Sequence, residues 1–385
     1  MPGHKAGKEF FEKKRPWSER KDLILDFYLK PYLTKISTLR VPILLIDGFA
    51  GPGEYGDGAH GSPLILARHA RETLARRPRL NLKLICIEAD PDLHGRLRTQ
   101  LGGLDFAETR HGQFVEYVPE LKEIASRSST FLYLDPCTVQ GLDWASLEEL
   151  LIFLQEGRSV ELLLNFNTPS FVRWGLQALR LNMPAGEERD DEDGEGAEKF
   201  VENPSLERLD DIVGGDWWRE ILSQPIPFPE LVEKIAHRLE DRFHRWFNEV
   251  CLHAVAAEPH HVVPKYHLIF GSRHPDALRL MNDAMRKSQK RLAELANTPQ
   301  LVLFERRPKR LVPDPGDLPP LILRLIDLPI SRGELIEKVM RKTDQSYSET
   351  DIRRSITRLL EAGRLESESG RTRINDQERI LPTAN

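Results

Sequence analysis

Ile43-Leu-Leu-Ile-Asp-Gly-Phe-Ala-Gly-Pro-Gly53 is the stretch that decides the fold. Four apolar residues end in an acid and are followed by three glycines within six positions. This pattern indicates a buried strand that stops at a tight loop, where backbone without side chains can approach a ligand closely. The sequence therefore predicts a nucleotide-type cradle at the carboxyl end of a first strand, although a strand followed by Gly-Pro-Gly is also compatible with a simple turn.

A second strand, Leu82 to Glu88, also ends on an acid. In nucleotide-binding α/β folds, a carboxylate at the tip of the second strand accepts hydrogen bonds from the ribose hydroxyls. The spacing between the glycine loop and Glu88 fits that arrangement. Together the two strands favour a bound adenosyl group.

The glycine loop has neither the Gly-x-Gly-x-x-Gly form of dinucleotide binders nor the Gly-Lys-Ser/Thr ending of a P-loop. Its Asp-x-Phe-x-Gly-x-Gly spacing resembles motif I of class I S-adenosylmethionine-dependent methyltransferases, particularly the version found in nucleic-acid methylases. The resemblance implies S-adenosylmethionine as the cofactor, with the loop around the methionine part and Glu88 on the ribose. The residues that match the motif are Asp47, Phe49, Gly51 and Gly53.

The elements that follow the first two strands fit the same α/β pattern. Ser62-Pro63 predicts the start of a helix directly after the loop, with Ser62 as its N-cap. A weak third strand at 106–109 leads to Gln113, at a position where many methyltransferases place an acid or amide near adenine, so Gln113 is a candidate cofactor contact. A helix over 231–250, strands over 252–257 and 266–270, and a helix over 275–296 complete a predicted seven-stranded, Rossmann-like sheet.

A fourth strand ends at Asp135-Pro136 and supplies the candidate catalytic residues. This position resembles the Asp-Pro-Pro-Tyr motif of amino methyltransferases, which orients a planar amino acceptor. Cys137 and Thr138 replace the Pro-Tyr pair here, so the base-stacking aromatic is missing, and Trp144 is either a substitute for it or part of the core. A fifth strand over 160–167 ends in the amides Asn165 and Asn167, which either cap the following turn or act at the substrate, where Asn165 would assist Asp135.

Composition limits the classes of function. The chain has 385 residues, enough for one large core and a small accessory domain, and a net charge of −5, which excludes an indiscriminate polyanion binder. Its three cysteines lie far apart, so neither a zinc site nor a disulfide framework is expected, and no metal is predicted. No apolar run approaches the length of a membrane span and no signal peptide is evident, so a cytoplasmic protein without membrane contact is expected.

The chain divides by composition into four parts. Residues 1–40 are a helical lead-in with a net charge of +5, either a solvated segment or a nucleic-acid contact. Residues 41–305 form the methyltransferase-like domain, interrupted by an acidic, flexible insert at 185–199. Residues 306–318 are a Pro/Gly-rich linker, and residues 319–385 form the last domain.

The last domain is predicted to be a winged helix, because three short helices are followed by a hairpin. Its third helix is the element that enters the DNA major groove in such modules. Residues 301–385 carry sixteen basic and fourteen acidic residues, which is little charge for DNA or RNA binding, so docking to a protein is an open alternative. The candidate nucleic-acid contacts are Arg353, Arg354 and Arg358 on the helix and Arg371 and Arg373 on the wing.

Five motifs occur in one order along the chain: Ile46-Asp-Gly-Phe-Ala-Gly-Pro-Gly-Glu-Tyr55, Gly61-Ser-Pro-Leu64, Cys86-Ile-Glu-Ala-Asp90, Leu134-Asp-Pro-Cys137 and Leu163-Leu-Asn-Phe-Asn167. This ordered set resembles the three-Cys-motif partner protein (TcmP) family over roughly residues 20–300. The family is similar in fold to class I methyltransferases and takes its name from proteins with a cysteine cluster of the radical S-adenosylmethionine type. The resemblance implies such a protein as the partner.

Two functions remain open. In the first, the chain binds S-adenosylmethionine and methylates a nucleic acid or a product of its partner, with Asp135 orienting or deprotonating the acceptor and Asn165 assisting. In the second, it is a non-catalytic adaptor that docks a partner protein or DNA through the winged helix. A nuclease is disfavoured because no compact Asp/Glu/Lys metal constellation stands out.

Overall fold

The computed structural model describes residues 11–155, 159–186, 205–255, 262–296, 314–343 and 347–383. These residues form two compact units, 1–274 and 275–385. The predicted acidic insert and the predicted linker lie largely outside the described residues. The helix Pro275–Ala296 groups with the second unit, whereas the sequence assigns it to the methyltransferase-like domain.

The first unit is built on a seven-stranded mixed sheet in the order β3-β2-β1-β4-β5-β7-β6. Strands β1 to β5 are parallel, and β7 is inserted antiparallel between β5 and β6. The predicted α/β class and the seven-stranded sheet are therefore confirmed. The strands are β1 Ile43–Asp47, β2 Leu82–Glu88, β3 Ala107–His111, β4 Ser129–Leu134, β5 Val160–Phe166, β6 Glu249–Val255 and β7 Tyr266–Ser272.

Nine helices of the described residues accompany this sheet. They are α1 Pro16–Ile36, α2 Ser62–Arg76, α3 Pro91–Leu101, α4 Phe114–Ala125, α5 Trp144–Gln155, α6 Thr168–Ala178, α7 Leu206–Val213, α8 Trp218–Leu222 and α9 Phe228–Phe243. Strand β1 is buried along its whole length between β2 and β4, as expected for a central strand of a parallel sheet. Because the carboxyl ends of β1 to β5 lie on one edge of the sheet, the acids and amides that follow them converge there.

Two predicted helix boundaries are wrong. Helix α2 begins at Ser62, so Gly61 occupies the N-cap position and no side chain caps the helix. Helix α9 ends at Phe243 rather than near Val250. Trp246 and Phe247 extend the apolar periodicity in the sequence, but they pack into the core beyond the helix end, and β6 then begins at Glu249.

In the described part of the second unit, four helices accompany a three-stranded antiparallel sheet in the order β8-β10-β9. Its core is an apolar cluster that includes Leu318, Leu335, Ile352 and Ile356. The helices are α10 Pro275–Ala296, α11 Leu318–Leu325, α12 Arg332–Lys342 and α13 Glu349–Glu361, and the strands are β8 Ile330–Ser331, β9 Leu365–Ser367 and β10 Arg379–Pro382.

A buried carboxylate on β5 gives a testable pH dependence. The Glu161 carboxylate accepts a hydrogen bond from the Tyr28 hydroxyl of α1, and burial raises the pKa of Glu161 from 4.5 to about 7. Between pH 4.5 and about pH 7 the folded state binds more protons at Glu161 than the unfolded state does. The free energy of unfolding therefore falls as pH rises through this range, by about 3 kcal/mol in total. We expect Glu161→Gln to flatten the fall in unfolding midpoint between pH 5 and pH 8. Parallel midpoint curves for variant and wild type would contradict this.

Candidate active site

Residues of the glycine loop and of the β2 tip meet at the carboxyl edge of the sheet. The Glu88 carboxylate at the tip of β2 accepts hydrogen bonds from the Gly51 N–H at 2.7 Å and from the Asp90 N–H at 2.7 Å. Gly51 and Gly53 have φ values of +63° and +83°, a region that residues with a side chain rarely adopt. Strand order thus brings the predicted ribose acid onto the predicted cofactor loop.

A short N-terminal segment, Phe11 to Lys14, covers this loop; we call it the N-terminal strap. The Gly56 N–H donates to the Phe11 carbonyl at 2.7 Å, and the Lys14 ammonium donates to the His60 carbonyl at 2.6 Å. A Cβ placed on Gly51 would lie 3.1 Å from the Phe11 ring. The sequence did not predict this contact, because the basic strap resembles an ordinary solvated segment.

Asp47 ends β1 behind the loop and is fully buried. One of its carboxylate oxygens accepts the Phe49 N–H at 3.3 Å. Burial raises the pKa of Asp47 to about 7, although hydrogen bonds from Ser62 and from the Phe49 backbone act in the opposite direction. Phe49 packs against Phe114, with ring centroids 6.0 Å apart. Asp47 and Phe49 therefore fix the start of the loop and its packing on the domain.

The tip of β3 lies beside Glu88, since the Gly112 N–H donates to the Glu88 carbonyl at 3.0 Å. Gln113 is exposed and begins α4, where its N–H donates to the Glu116 carboxylate at 3.0 Å. The sequence did not anticipate a stacked pair of histidines at this edge, His94 and His111, with ring centroids 5.2 Å apart. No motif marks that pair, because the two rings come from α3 and β3.

The predicted catalytic residues Asp135 and Asn165 are in direct contact. The Asn165 amide Nδ2 donates to Asp135 Oδ1 at 2.6 Å, and the Tyr133 hydroxyl donates to Asp135 Oδ2 at 3.4 Å. The Lys21 ammonium forms an ion pair with the same Oδ2. Asn165 is only 9% exposed, and its Oδ1 has no hydrogen-bond partner among the described residues. Pro136 is buried directly after Asp135.

Helix α1 supplies charges that the sequence did not predict for this site. Burial lowers the pKa of Lys21, but the carboxylates of Asp135 and Asp22 outweigh burial and raise it above the usual lysine value. Burial raises the pKa of Asp22, against the attraction of Lys21 and of Lys14, whose ammonium lies 2.7 Å from Asp22. The sequence contained one indication that Lys21 has a special role. Lys21 is four residues before Leu25, so both lie on the buried face of α1, where a lysine is unusual.

Three tyrosines surround the Lys21 and Asp135 pair. Tyr55 follows the glycine loop, Tyr133 lies on β4 and Tyr266 on β7. Burial raises the pKa of all three phenols above the ordinary tyrosine value, so each remains protonated at neutral pH. Among the described residues, the cluster formed by Lys21, Asp135 and these three tyrosines therefore contains no uncharged base that could take a proton from a substrate.

Trp144 does not replace the missing base-stacking aromatic. It is 2% exposed and packs against Phe243 and Trp246 at centroid distances of 5.5 and 5.7 Å. The Arg242 guanidinium lies 4.5 Å from the centroid of its ring. Trp144 is therefore a core residue, and the half-buried Thr138, after the exposed Cys137, stands at the place of the motif's aromatic.

The candidate nucleic-acid contacts belong to the second unit. Arg353 donates two hydrogen bonds to the Asp376 carboxylate, at 2.7 and 2.6 Å, and one to Glu349 at 2.6 Å. Asp376 also accepts from Arg332 at 2.8 Å. Arg353 is therefore engaged within its own unit. Exposed positions are Arg354, Arg358, Arg371 and Arg373.

Across the described helices, none combines the length and the apolar character needed to cross a bilayer. Within the same part of the chain, no three His, Cys, Asp or Glu side chains are grouped so that they could hold a metal ion. The two adjacent histidines at 260–261 lie outside the described residues.

No family model and no curated protein matches this sequence. Among solved structures, protein LPL1258 from Legionella pneumophila is 9% identical over 75% of this chain and 94% of that one, with a TM-score of 0.40. The plantazolicin methyltransferase BamL, crystallised with S-adenosylhomocysteine, is 12% identical over 76% and 85%, with a TM-score of 0.34. An O-methyltransferase from Bacillus cereus, also with S-adenosylhomocysteine, is 12% identical over 68% and 83%, with a TM-score of 0.31.

These TM-scores are low, so the class of fold rests on the strand order itself. Class I methyltransferases have a Rossmann-like parallel sheet with an antiparallel seventh strand between the fifth and the sixth, and the observed strand order is the same. This is the fold class that the sequence predicts. The chain has a methyltransferase-like α/β fold. Its membership of the three-Cys-motif partner family stays a prediction.

Proposed function

We propose that this protein binds S-adenosylmethionine and acts as a methyltransferase on a nucleic acid or on a product of a three-Cys-motif partner. The observation that carries the proposal is the hydrogen bond between the Gly51 N–H and the Glu88 carboxylate. It joins the predicted methionine loop to the predicted ribose acid at one edge of the sheet. That is the edge at which open α/β sheets bind their ligands.

The residues at this edge fit the cofactor. Glu88 is an acceptor with lone pairs left for ribose hydroxyls, and its burial raises its pKa although three backbone N–H groups oppose that effect. The positive φ of Gly51 keeps that position free of a side chain. When bound, S-adenosylmethionine supplies a methyl group whose carbon–sulfur bond breaks, with the electron pair passing to sulfur, as the lone pair of the acceptor atom forms the new bond.

A calorimetric titration with S-adenosylmethionine and S-adenosylhomocysteine tests this function. We expect both ligands to bind wild type, and we expect Glu88→Ala to weaken binding at least tenfold, since the ribose hydroxyls lose their acceptor. Glu116→Ala is a suitable control. Like Glu88, Glu116 is a glutamate at this edge of the sheet, but its carboxylate accepts the Gln113 N–H, whereas Glu88 accepts the Gly51 N–H. If folded wild type binds neither ligand, the proposal that the protein is an S-adenosylmethionine-dependent enzyme is refuted.

The second candidate function is that of a non-catalytic adaptor. One observation on the second unit favours this function. Its three helices α11 to α13 followed by the β9–β10 ribbon support the winged-helix proposal. However, Arg353 is held by Asp376 and Glu349, which removes a cation from the helix proposed to contact nucleic acid. An adaptor would keep its partner when Glu88 is changed, whereas the methyltransferase would lose its cofactor.

A further inference from the structure

The side chain of Asn165 has only one orientation that satisfies its neighbour. A carboxylate accepts hydrogen bonds and cannot donate them, so the Asn165 amide must turn its NH2 group toward Asp135. The Lys21 ammonium contacts the other carboxylate oxygen of Asp135 and holds that side chain in place, which keeps this direction fixed. As a result Asn165 Oδ1 faces away from Asp135, buried and without a partner among the described residues.

A buried acceptor without a partner destabilises the folded protein, and a ligand that donates a hydrogen bond to it removes that cost. Asn165 is the last residue but one of β5 and lies beside Asp135 at the tip of β4, on the edge of the sheet that carries the glycine loop. The unpartnered oxygen therefore belongs to the proposed acceptor site. Its chemistry selects an N–H or O–H group.

The surrounding charges distinguish between these two groups. A hydroxyl acceptor needs a base to remove its proton, but the Lys21 ammonium is charged and both Asp135 oxygens already accept donors. A weakly basic amino group, conjugated with a ring, has a nitrogen lone pair available without prior loss of a proton. It releases a proton to water after methylation, when the nitrogen carries a positive charge.

We propose that Asn165 Oδ1 receives an N–H of the methyl acceptor, that the acceptor is the exocyclic amino group of a nucleobase, and that Lys21 and Asp135 are positioning residues that fix the direction of the Asn165 amide. The proposal rests on the proposed function and names its substrate class. Adenine and cytosine carry such amino groups, whereas hypoxanthine and uracil present a carbonyl at the same position.

The test compares dissociation constants of adenosine with inosine, and of cytidine with uridine, on protein saturated with S-adenosylhomocysteine. In wild type we expect at least one amino nucleoside to bind about tenfold or more tightly than its carbonyl counterpart. In Asn165→Leu this preference should fall below about twofold, because the acceptor is gone.

Asp135→Asn gives a sharper outcome. Lys21 donates only, so the amide introduced at position 135 turns its oxygen to Lys21 and its NH2 to Asn165. Asn165 then turns its oxygen to position 135 and its NH2 to the acceptor, so the preference should invert toward inosine or uridine. The double variant Asp135→Asn/Asn165→Asp should restore the preference for the amino nucleoside, since the new carboxylate again presents an acceptor.

Asn167→Asp is the matched control. The Asn167 side chain caps α6 by accepting the Ser170 N–H at 3.1 Å, a role that aspartate keeps, so the amino preference should persist. If S-adenosylhomocysteine binds and wild type does not distinguish the nucleosides or binds none of them, the role of Asn165 is refuted while the cofactor site stands. If S-adenosylhomocysteine does not bind, the proposed function itself fails, and this inference with it.

Discussion

Gly51→Val is expected to abolish measurable binding of S-adenosylmethionine, a loss of a hundredfold or more. Valine is strained at the φ of +63° found there, and its Cβ would lie 3.1 Å from the Phe11 ring of the N-terminal strap. The loop must then change its backbone path, which moves the Gly51 N–H away from the Glu88 carboxylate. Calorimetric titration of folded variant and wild type measures the loss.

Gly103→Val is the control for backbone strain. Gly103 has a φ of +87°, and a Cβ added there meets nothing within 4 Å, in the turn between α3 and β3. Both substitutions should lower stability by about 1–3 kcal/mol through the same unfavourable conformation. Only the change at Gly51 should remove cofactor binding. Equal affinities for the two variants would show that the loop does not hold the cofactor.

Lys21→Met is the substitution with the largest expected effect on stability. It leaves the Asp135 carboxylate, whose side chain is only 16% exposed, without the ammonium of the buried Lys21 that forms an ion pair with it. Removing one partner of a buried ion pair costs about 3–5 kcal/mol, because an uncompensated charge remains. We expect the thermal unfolding midpoint at pH 8 to fall by several degrees or more.

The pH dependence separates this cause from lost packing. Burial raises the pKa of the neighbouring Asp22, and the Lys21 ammonium opposes that effect, so in the variant the pKa of Asp22 rises further above that of the unfolded chain and stability is regained as pH falls. In wild type, Lys21 has a raised pKa, and its contribution is fully present at every pH below that of an unfolded lysine. The deficit of the variant should therefore shrink between pH 8 and pH 5.

The double variant Lys21→Met/Asp135→Asn provides the second check. It removes both charges, so it should recover much of the stability that Lys21→Met loses, with a coupling free energy of about 1–3 kcal/mol. Additive losses in this double-mutant cycle, with a deficit that does not depend on pH, would contradict a functional ion pair at this site.

Where the structure places a candidate residue at the strand end that the sequence predicts, its position follows from one strand alone, and its role stays a prediction. Asp47, Glu88, Asp135 and Asn165 all lie at or beside the ends of predicted parallel strands, and parallel strands present these ends along one edge. Their spacing in the sequence was therefore sufficient to place them at one site.

The residues that the sequence missed meet only through tertiary packing. Lys21 reaches Asp135 across 114 positions, and Phe11 reaches the glycine loop from before the first helix. No local pattern encodes such a pairing. Trp144 shows the same limit, since the sequence left a stacking role and a core role open for it, and only its contacts with Phe243 and Trp246 of the distant α9 region identify it as a core residue.

The insertion of β7 between β5 and β6 has a consequence for pieces of this protein. Strand β5 is buried along its whole length, and its outer edge pairs with β7, which is reached only at Tyr266. A nascent or truncated chain that stops earlier already holds Lys21, Glu88, Asp135 and Asn165, yet it exposes an apolar strand with free N–H and C=O groups. Such an edge recruits strands from other molecules. A segment that contains these four residues but stops before β7 is therefore a source of aggregates rather than a minimal enzyme.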